Sequence, residues 1–119
     1  MTTRCAVPVE SEDGLSSAVK DHFAMSEHFA ILEVKKNKII SIRFTHNVQG
    51  GEDQKNAAQF LADIGVKVVL TGRIGSCMIR VFTDRDIKLY SGAEGTVEDA
   101  FNSYVAGKLA EVRPNPYQL

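Results

Sequence analysis

Two histidines and a methionine lie close together near the amino end of the chain and could bind a metal. His22 and His28 are six residues apart, and Met25 lies between them. Imidazole nitrogens and a thioether sulfur are ligands for soft or borderline metal ions. The spacing matches no closed pattern of a structural zinc site, so structural zinc is not expected. The alternative is that His22 packs at a helix end and His28 lies on the surface.

A glycine-rich loop is the second place where chemistry could occur. It joins a predicted strand to a predicted helix and reads Gly72-Arg73-Ile74-Gly75-Ser76-Cys77. Glycines let backbone N–H groups turn toward a ligand, and a helix N-terminus favours anions. The Gly-Lys-Ser/Thr ending of a P-loop is absent, and two glycines are too few for a dinucleotide fingerprint. The loop therefore indicates an anion site without the marks of a nucleotide site.

The two cysteines have different expected environments. Cys77 falls in the first turn of a predicted helix, where a thiol pKa is lowered and the thiolate can act as nucleophile or metal ligand. The alternative is that Cys77 is a small buried hydrophobic side chain. Cys5 lies in an apolar β-run and is expected in the core. Two cysteines cannot hold a small secreted fold together, so both are expected to be reduced.

Other chemistry has little support in the sequence. Asn47 and the pair Gly50-Gly51 precede the clearest helix and form either a backbone anion site or a flexible loop. Nothing in the sequence places Cys77 beside a histidine for nucleophilic catalysis. Glu33 is the only acidic residue inside a predicted central strand, which disfavours two-metal phosphoryl chemistry.

Length and charge limit the class of protein further. The chain has 119 residues, 14 Lys and Arg and 15 Asp and Glu, which gives a net charge of -1. We expect one domain over residues 1–110 and a loose tail over 111–119. The charge disfavours a nucleic-acid-coating protein, and no apolar run reaches the ~20 residues of a membrane span. The first residues are apolar too briefly for a signal peptide, so we expect a cytoplasmic protein.

Hydrophobic periodicity predicts an α/β domain. Its elements are a strand at Cys5–Val9, a short helix with Leu15, Ala18, Val19, His22 and Phe23 on one face, an antiparallel hairpin from 29–34 to 40–45, and then helix 53–64, strand 67–70, helix 76–83, strand 87–90 and a helix capped by Thr96. The second half resembles a βαβ arrangement and should be parallel. We expect a mixed sheet of about five strands with helices on both faces.

Several motifs in this order resemble the dinitrogenase iron–molybdenum cofactor biosynthesis family, which includes NifX, NafY and the C-terminal part of NifB. The resemblance rests on Leu15-Ser16-Ser17, Val19 and His22-Phe23-Ala24, on Asn47 with Gly50-Gly51, on the run Gly65 to Gly75, and on the run Ile87 to Ala100. It implies a ribonuclease H-like three-layer α/β/α fold without nuclease activity. It also implies that members carry iron–sulfur precursors of the cofactor or the finished cofactor, and that His22 contacts the cluster.

The chain departs from the family pattern at the residues that would meet a cluster. Ala24 and Met25 stand where the family has Gly and Arg, so a cation is replaced by a thioether sulfur. Cys77 stands where the family often has Pro, Arg or Asn. The resemblance therefore implies His22 as a metal ligand, and the departures add Cys77 as a second candidate ligand and Met25 as a soft donor.

The function expected from these residues is a non-enzymatic carrier of an iron–sulfur or iron–molybdenum cluster precursor. Binding would be transient, because four cysteines are not available to hold a cluster. The candidate cofactor-binding residues are His22, Met25, His28, Asn47, Gly72, Arg73, Gly75, Ser76 and Cys77. Expected partners are nitrogenase cofactor assembly proteins or apo-dinitrogenase. The alternatives are a metal-free protein-interaction module of the same fold and a small Cys-dependent enzyme.

Overall fold

The computed structural model describes residues 2–21, 28–46 and 54–113, which form one mixed sheet with helices on both faces. The elements are β1 (Thr3–Val9), a one-turn 3-10 helix (Gly14–Ser16), β2 (His28–Lys35), β3 (Lys38–His46), α1 (Gln54–Asp63), β4 (Val66–Leu70), α2 (Ser76–Thr83), β5 (Lys88–Ser91), α3 (Val97–Val105) and β6 (Ala110–Val112). The strand order is β3-β2-β1-β4-β5-β6. β1, β4 and β5 are parallel, and β2, β3 and β6 are antiparallel to their neighbours.

The sheet has six strands in the described part of the chain, so the expectation of five is wrong. The additional strand is β6, which pairs with β5 from Ala110 opposite Ser91 to Val112 opposite Leu89. It reaches two residues into the segment 111–119 that was predicted as a loose tail. Three residues carry too weak an alternation to predict a strand from sequence. Residues 114–119 lie outside the described residues.

β1 occupies the centre of the sheet, between β2 and β4. Its apolar run is buried from Cys5 to Val9. Pro8 lies next to the last residue, and the parallel register with β4 ends earlier, where Ala6 is opposite Val69. The proline, which has no N–H to donate, therefore lies at the end of the strand, where the parallel pairing with β4 has already stopped.

The hairpin β2–β3 follows the predicted pattern except at one residue. Lys36 and Asn37 form a two-residue turn with φ of 51° and 63°, the positive values that a type I′ turn requires. β3 is an edge strand, as expected. Its register shifts so that Glu33 faces Ser41 and Val34 faces Ile39, which leaves Ile40 as an extra residue. Ile40 is 54% exposed, although alternation with Ile42 and Phe44 predicts that these three side chains share one face.

Two apolar clusters pack against the two faces of the sheet. Alternation along β2 divides its side chains between them: Phe29 and Ile31 lie in the cluster with α1 and α2, and Ala30 and Leu32 in the cluster with α3. β2 is thus covered on both faces, as its unbroken apolar run predicts. The result is a three-layer arrangement in which the carboxyl ends of β1, β4 and β5 share one edge.

α3 begins at the predicted cap. The Thr96 hydroxyl accepts from the Asp99 N–H at 3.2 Å, and the Asp99 carboxylate accepts from the Thr96 N–H at 3.1 Å. These reciprocal bonds form a capping box. Val97, Ala100 and Phe101 are buried on the helix. Helical periodicity predicts that Val105 shares this face, but Val105 is 42% exposed at the last turn.

The predicted helix over Leu15 to Phe23 does not form in the described residues. One 3-10 turn at Gly14–Ser16 is followed by extended backbone from Ser17 to Lys20. Val19 forms an isolated bridge with Val9, and Ala18 forms one with Thr96. Hydrogen bonds to neighbouring strand ends replace the bonds that a short helix would make to itself, because two helical turns alone are marginal in water.

The bulge predicts that two isoleucines of the hairpin differ in their contribution to stability. Ile40→Ala should change the free energy of unfolding by less than about 0.5 kcal/mol, because the side chain is largely exposed. Ile31→Ala should cost about 2–5 kcal/mol, because Ile31 is 3% exposed in the core. Urea unfolding of the two variants measures the difference. Equal losses would contradict the observed register.

Candidate functional site

The candidate site lies at the edge where β1, β4 and β5 end. Ligands of open α/β sheets bind outside the carboxyl ends of the parallel strands. The glycine-rich loop 72–75 follows β4 at this edge, and the extended segment 17–21 lies beside it. Two motifs more than fifty residues apart in sequence therefore meet here.

Segment 17–20 joins the end of β1 to the start of α3. The Lys20 N–H donates to the Pro8 carbonyl at 2.8 Å, and the Val19 N–H donates to the Gly95 carbonyl at 2.9 Å. The Val97 N–H donates to the Ser17 carbonyl at 2.9 Å. Ser17 is fully buried, and its hydroxyl accepts from the Asp13 N–H at 2.7 Å. The segment is thus held on both sides before the chain reaches His22.

Asp21 attaches the end of this segment to the glycine-rich loop. The Arg73 N–H donates to the Asp21 carbonyl at 2.7 Å. The Arg73 side chain donates from Nε and Nη2 to Asp21 Oδ2, at 2.9 and 2.6 Å. The hydrogen bonds, and then the charge, of Asp21 raise the pKa of Arg73. The backbone and the side chain of Arg73 therefore both donate to Asp21. We call this pair of contacts the Asp21–Arg73 clamp.

The clamp changes the expected role of Arg73. The sequence predicts that Arg73 binds an anionic cofactor, and the Arg73 side chain is 72% exposed. Its charge is already balanced by the carboxylate of Asp21. Its observed contact positions the backbone that leads directly into His22. Sequence analysis did not single out Asp21, because a carboxylate and a guanidinium 52 positions apart carry no local signal of their pairing.

Gly72 is required by the close approach of Asp21. A Cβ at position 72 would lie 2.5 Å from Asp21 Oδ1 and 2.8 Å from the Asp21 carbonyl oxygen. Both distances are below any normal contact, so a side chain would separate the loop from the segment. Gly75, in contrast, has nothing within 4 Å of its Cβ position. Contact with Asp21 thus excludes a side chain at position 72, whereas no contact excludes one at position 75.

The N-terminus of α2 offers backbone donors at this edge. Gly75 is the N-cap residue, with φ of -79° and ψ of 157°, and it supplies no side-chain cap. The first intrahelical bond runs from the Ile79 N–H to the Gly75 carbonyl at 3.1 Å. The N–H groups of the first turn have no intrahelical acceptor and carry partial positive charge. This arrangement favours an anion, as the sequence predicts.

Part of the predicted site falls outside what the structure describes. His22, Met25 and Asn47 lie outside the described residues. Ser76 and Cys77 belong to the first turn of α2 by their backbone, and their side chains are not described. The roles of these five residues therefore stay predictions. Asp21, the last described residue before this gap, lies against Gly72 of the glycine-rich loop.

His28 begins β2 at the same edge. It lies opposite Val9, the last residue of β1. Its Nδ1 is 3.2 Å from Glu12 Oε2, and the imidazole is half-buried. His28 therefore lies at the edge of the candidate site, and its binding role stays a prediction.

Cys5 and Glu33 take no part in this edge. Cys5 is buried in the α3-side core, and burial raises the pKa of its thiol to about 12. Cys5 is therefore a core residue, as predicted, and stays protonated at neutral pH. Glu33 forms an ion pair with Arg4 at 3.2 Å, and Arg4 also donates to the Ile64 carbonyl after α1. These contacts lie toward the opposite ends of the parallel strands.

Thr71 is a further residue of this edge whose chemistry sequence analysis missed. It is fully buried between β4 and the glycine-rich loop, and its hydroxyl has no hydrogen-bond partner in the described part of the chain.

Residues 2–21, 28–46 and 54–113 contain no group of three or more His, Cys, Asp or Glu side chains arranged to hold a metal ion. Over the same residues, no helix is long and apolar enough to cross a bilayer.

Comparison with known proteins identifies the family. Residues 3–107 match the family described as "Dinitrogenase iron-molybdenum cofactor". This chain belongs to that family. The matched range contains the clamp, the glycine-rich loop and the segment 22–28. No curated protein matches the chain in sequence.

Solved structures support the same assignment. The apo form of the orange protein from Desulfovibrio gigas is 26% identical, with a TM-score of 0.83 over 95% of this chain and 96% of that one. A Thermotoga protein provisionally assigned as NifB is 26% identical, with a TM-score of 0.77 over 98% and 99%. A Methanocaldococcus jannaschii protein provisionally assigned as a dinitrogenase is 14% identical and shows the fold alone, with a TM-score of 0.74 over 97% and 99%.

The contact between Gly72 and Asp21 predicts different effects at the two glycines. Gly72→Ala should lower the free energy of unfolding by about 1–3 kcal/mol, because the new methyl group overlaps Asp21. Gly75→Ala should cost less than about 1 kcal/mol, because the position is open and loses only an N-cap preference.

Urea unfolding measures both losses. In ¹H–¹⁵N spectra the Arg73 amide should shift strongly in Gly72→Ala and little in Gly75→Ala, because that amide donates to Asp21. An unperturbed Arg73 amide in Gly72→Ala would show that the clamp does not depend on the glycine.

The raised pKa of Cys5 predicts selective alkylation. At pH 9 an ordinary thiol is about half ionised, whereas Cys5 with a pKa of about 12 stays protonated. Iodoacetamide should therefore leave Cys5 intact in the folded protein, and it should modify both cysteines in urea. Peptide mass spectrometry distinguishes the two sites. Rapid labelling of Cys5 in the folded protein would contradict its burial.

Proposed function

We propose that the protein is a non-enzymatic carrier that binds an iron–sulfur or iron–molybdenum cluster precursor during assembly of the nitrogenase cofactor. The single observation that carries the proposal is the Asp21–Arg73 clamp. It brings the backbone that enters His22 onto the loop that precedes the uncapped N-terminus of α2. Membership of the iron–molybdenum cofactor family supplies the class of cargo.

The electrostatics of the loop suit a sulfide-bridged anion. The first-turn N–H groups of α2 supply donors and partial positive charge without a competing cap. Arg73, already paired with Asp21, adds little net charge. The site would therefore hold an anion mainly through backbone donors, which makes the attraction moderate. Moderate attraction suits a carrier that must release its cargo.

The available ligands point in the same direction. Cys5 is buried with a raised pKa, which leaves Cys77 as the one cysteine of the chain that could supply a thiolate. We propose that Cys77 and His22 contact the metal, with Met25 and Asn47 near it and His28 at the rim. Two strong ligands are fewer than a resident cluster uses. The cluster is accordingly cargo rather than a permanent cofactor.

One relative adds support. The orange protein of Desulfovibrio gigas, 26% identical, has been solved in what its description calls the apo form. For the present chain we propose nitrogenase cofactor assembly proteins or apo-dinitrogenase as the partners that deliver and receive the cluster. This part of the proposal rests on the family.

Anaerobic loading tests the proposal. The protein is incubated with ferrous iron and sulfide, with and without molybdate, and bound iron and molybdenum are measured after gel filtration. Wild type should become coloured and retain iron. A His22→Ala, Cys77→Ala variant should bind iron at least about tenfold more weakly, since loss of even an outer-shell partner of a metal site costs that much.

A second double variant, Cys5→Ala with His46→Ala, removes the same residue types from positions not proposed as ligands and should load normally. Equal loading of both variants would reject the two ligands. The loaded wild type should lose iron to apo-dinitrogenase on mixing. A wild type that takes up no metal but binds apo-dinitrogenase would instead establish the metal-free interaction module.

A further inference from the structure

Thr71 continues the pairing of β4 with β5 beyond the last residue of the strand. Its N–H donates to the Tyr90 carbonyl at 2.9 Å, and its carbonyl accepts from the Ala93 N–H at 3.0 Å. Both backbone groups are therefore satisfied, and the residue is held in extended geometry. Its side chain must follow the alternation of the strand.

That alternation places Thr71 on the face that carries α2. Val69 lies in the cluster packed by α1 and α2, and Leu70 lies in the cluster packed by α3. Thr71, two residues after Val69, therefore faces the α2 layer. The loop from 72 to 75 is the whole connection to α2, so the Thr71 hydroxyl and the first turn of α2 lie at the same strand end and on the same face.

The hydroxyl is buried without a partner. Thr71 is 0% exposed, and its Oγ1 makes no hydrogen bond in the part of the chain that the structure describes. Buried polar groups of native proteins are nearly always paired, and an unpaired one lowers stability. A valine has the same shape without this cost, so the hydroxyl lowers the stability of the unloaded protein.

We propose that the Thr71 hydroxyl is a ligand-binding group, which donates a hydrogen bond to an anion held at the N-terminus of α2. The inference rests on the proposed function and extends it by one residue. The ligand class is a compact anion with an acceptor atom on its surface, either a bridging sulfide or an oxo group. Thr71 would accompany the N–H groups of the first turn, none of which receives a side-chain cap from Gly75.

The test compares Thr71→Val with Thr71→Ser in the full chain. Valine removes the hydroxyl and keeps the shape, whereas serine keeps the hydroxyl and removes a methyl group. The probes are molybdate for an oxo anion, and material assembled anaerobically from ferrous iron and sulfide for a sulfide anion. Melting temperature is measured without probe, and probe affinity is measured by titration.

We expect Thr71→Val to melt roughly 4 °C above wild type without probe, because an unpaired buried hydroxyl is removed. We expect the same variant to bind the effective probe about tenfold more weakly, the loss of one hydrogen bond to a charged ligand. Thr71→Ser should melt lower than wild type and keep its affinity. The probe that responds identifies the acceptor as oxo or sulfide.

The outcomes separate this inference from the proposed function. If wild type binds a probe and Thr71→Val binds it equally well, the carrier function stands and the role of Thr71 is overturned. If Thr71→Val melts lower than wild type, the hydroxyl already has a partner and the inference is overturned. If wild type binds neither probe, the carrier function fails, and the proposed role of Thr71 fails with it.

Discussion

The candidate site depends on one short contact between two distant parts of the chain, in which Asp21 lies against Gly72 and is held by Arg73. The hydrogen bond from the Arg73 N–H to the Asp21 carbonyl fixes the distance between segment 17–21 and the glycine-rich loop. The side chains of the same two residues also pair. A methyl group at position 72 would remove the contact. Segment 17–21 and the glycine-rich loop lie against each other because these three residues allow close approach.

The same contact explains why a segment that is amphipathic by periodicity is extended in the structure. Residues 17–20 exchange backbone hydrogen bonds with Pro8, Gly95 and Val97, so their polar groups are satisfied by neighbouring elements. A helix of two turns would satisfy few of its own. The hydrogen bonds to these neighbouring elements therefore stabilise the extended segment more than a short helix would be stabilised by its own bonds. They also hold Asp21 beside the loop.

The sequence predicts most of the architecture because most elements carry strong local signals. The strand at Cys5–Val9, the helix 76–83 and the cap at Thr96 are found as predicted. β6 is too short to show a pattern, and the bulge at Ile40 depends on how two strands align.

The site itself is less accessible to sequence reasoning. The residues of the glycine-rich loop predict an anion site, and the family resemblance implies that His22 contributes to it. The Asp21–Arg73 clamp and the buried hydroxyl of Thr71 do not appear in any local pattern, since both are defined by what surrounds them in three dimensions. Ligand residues can thus be proposed from motifs, whereas the residues that position them require coordinates.

The bulge at Ile40 has a consequence for how this protein meets other proteins. It interrupts the regular pairing of β3 with β2, and Lys35, Lys36 and Lys38 surround the adjoining turn with charge. The opposite edge, β6, has three residues. Both edges are poor templates for an added strand. Recognition by strand addition is therefore disfavoured, and a partner is expected to approach the helical layers or the ends of the strands.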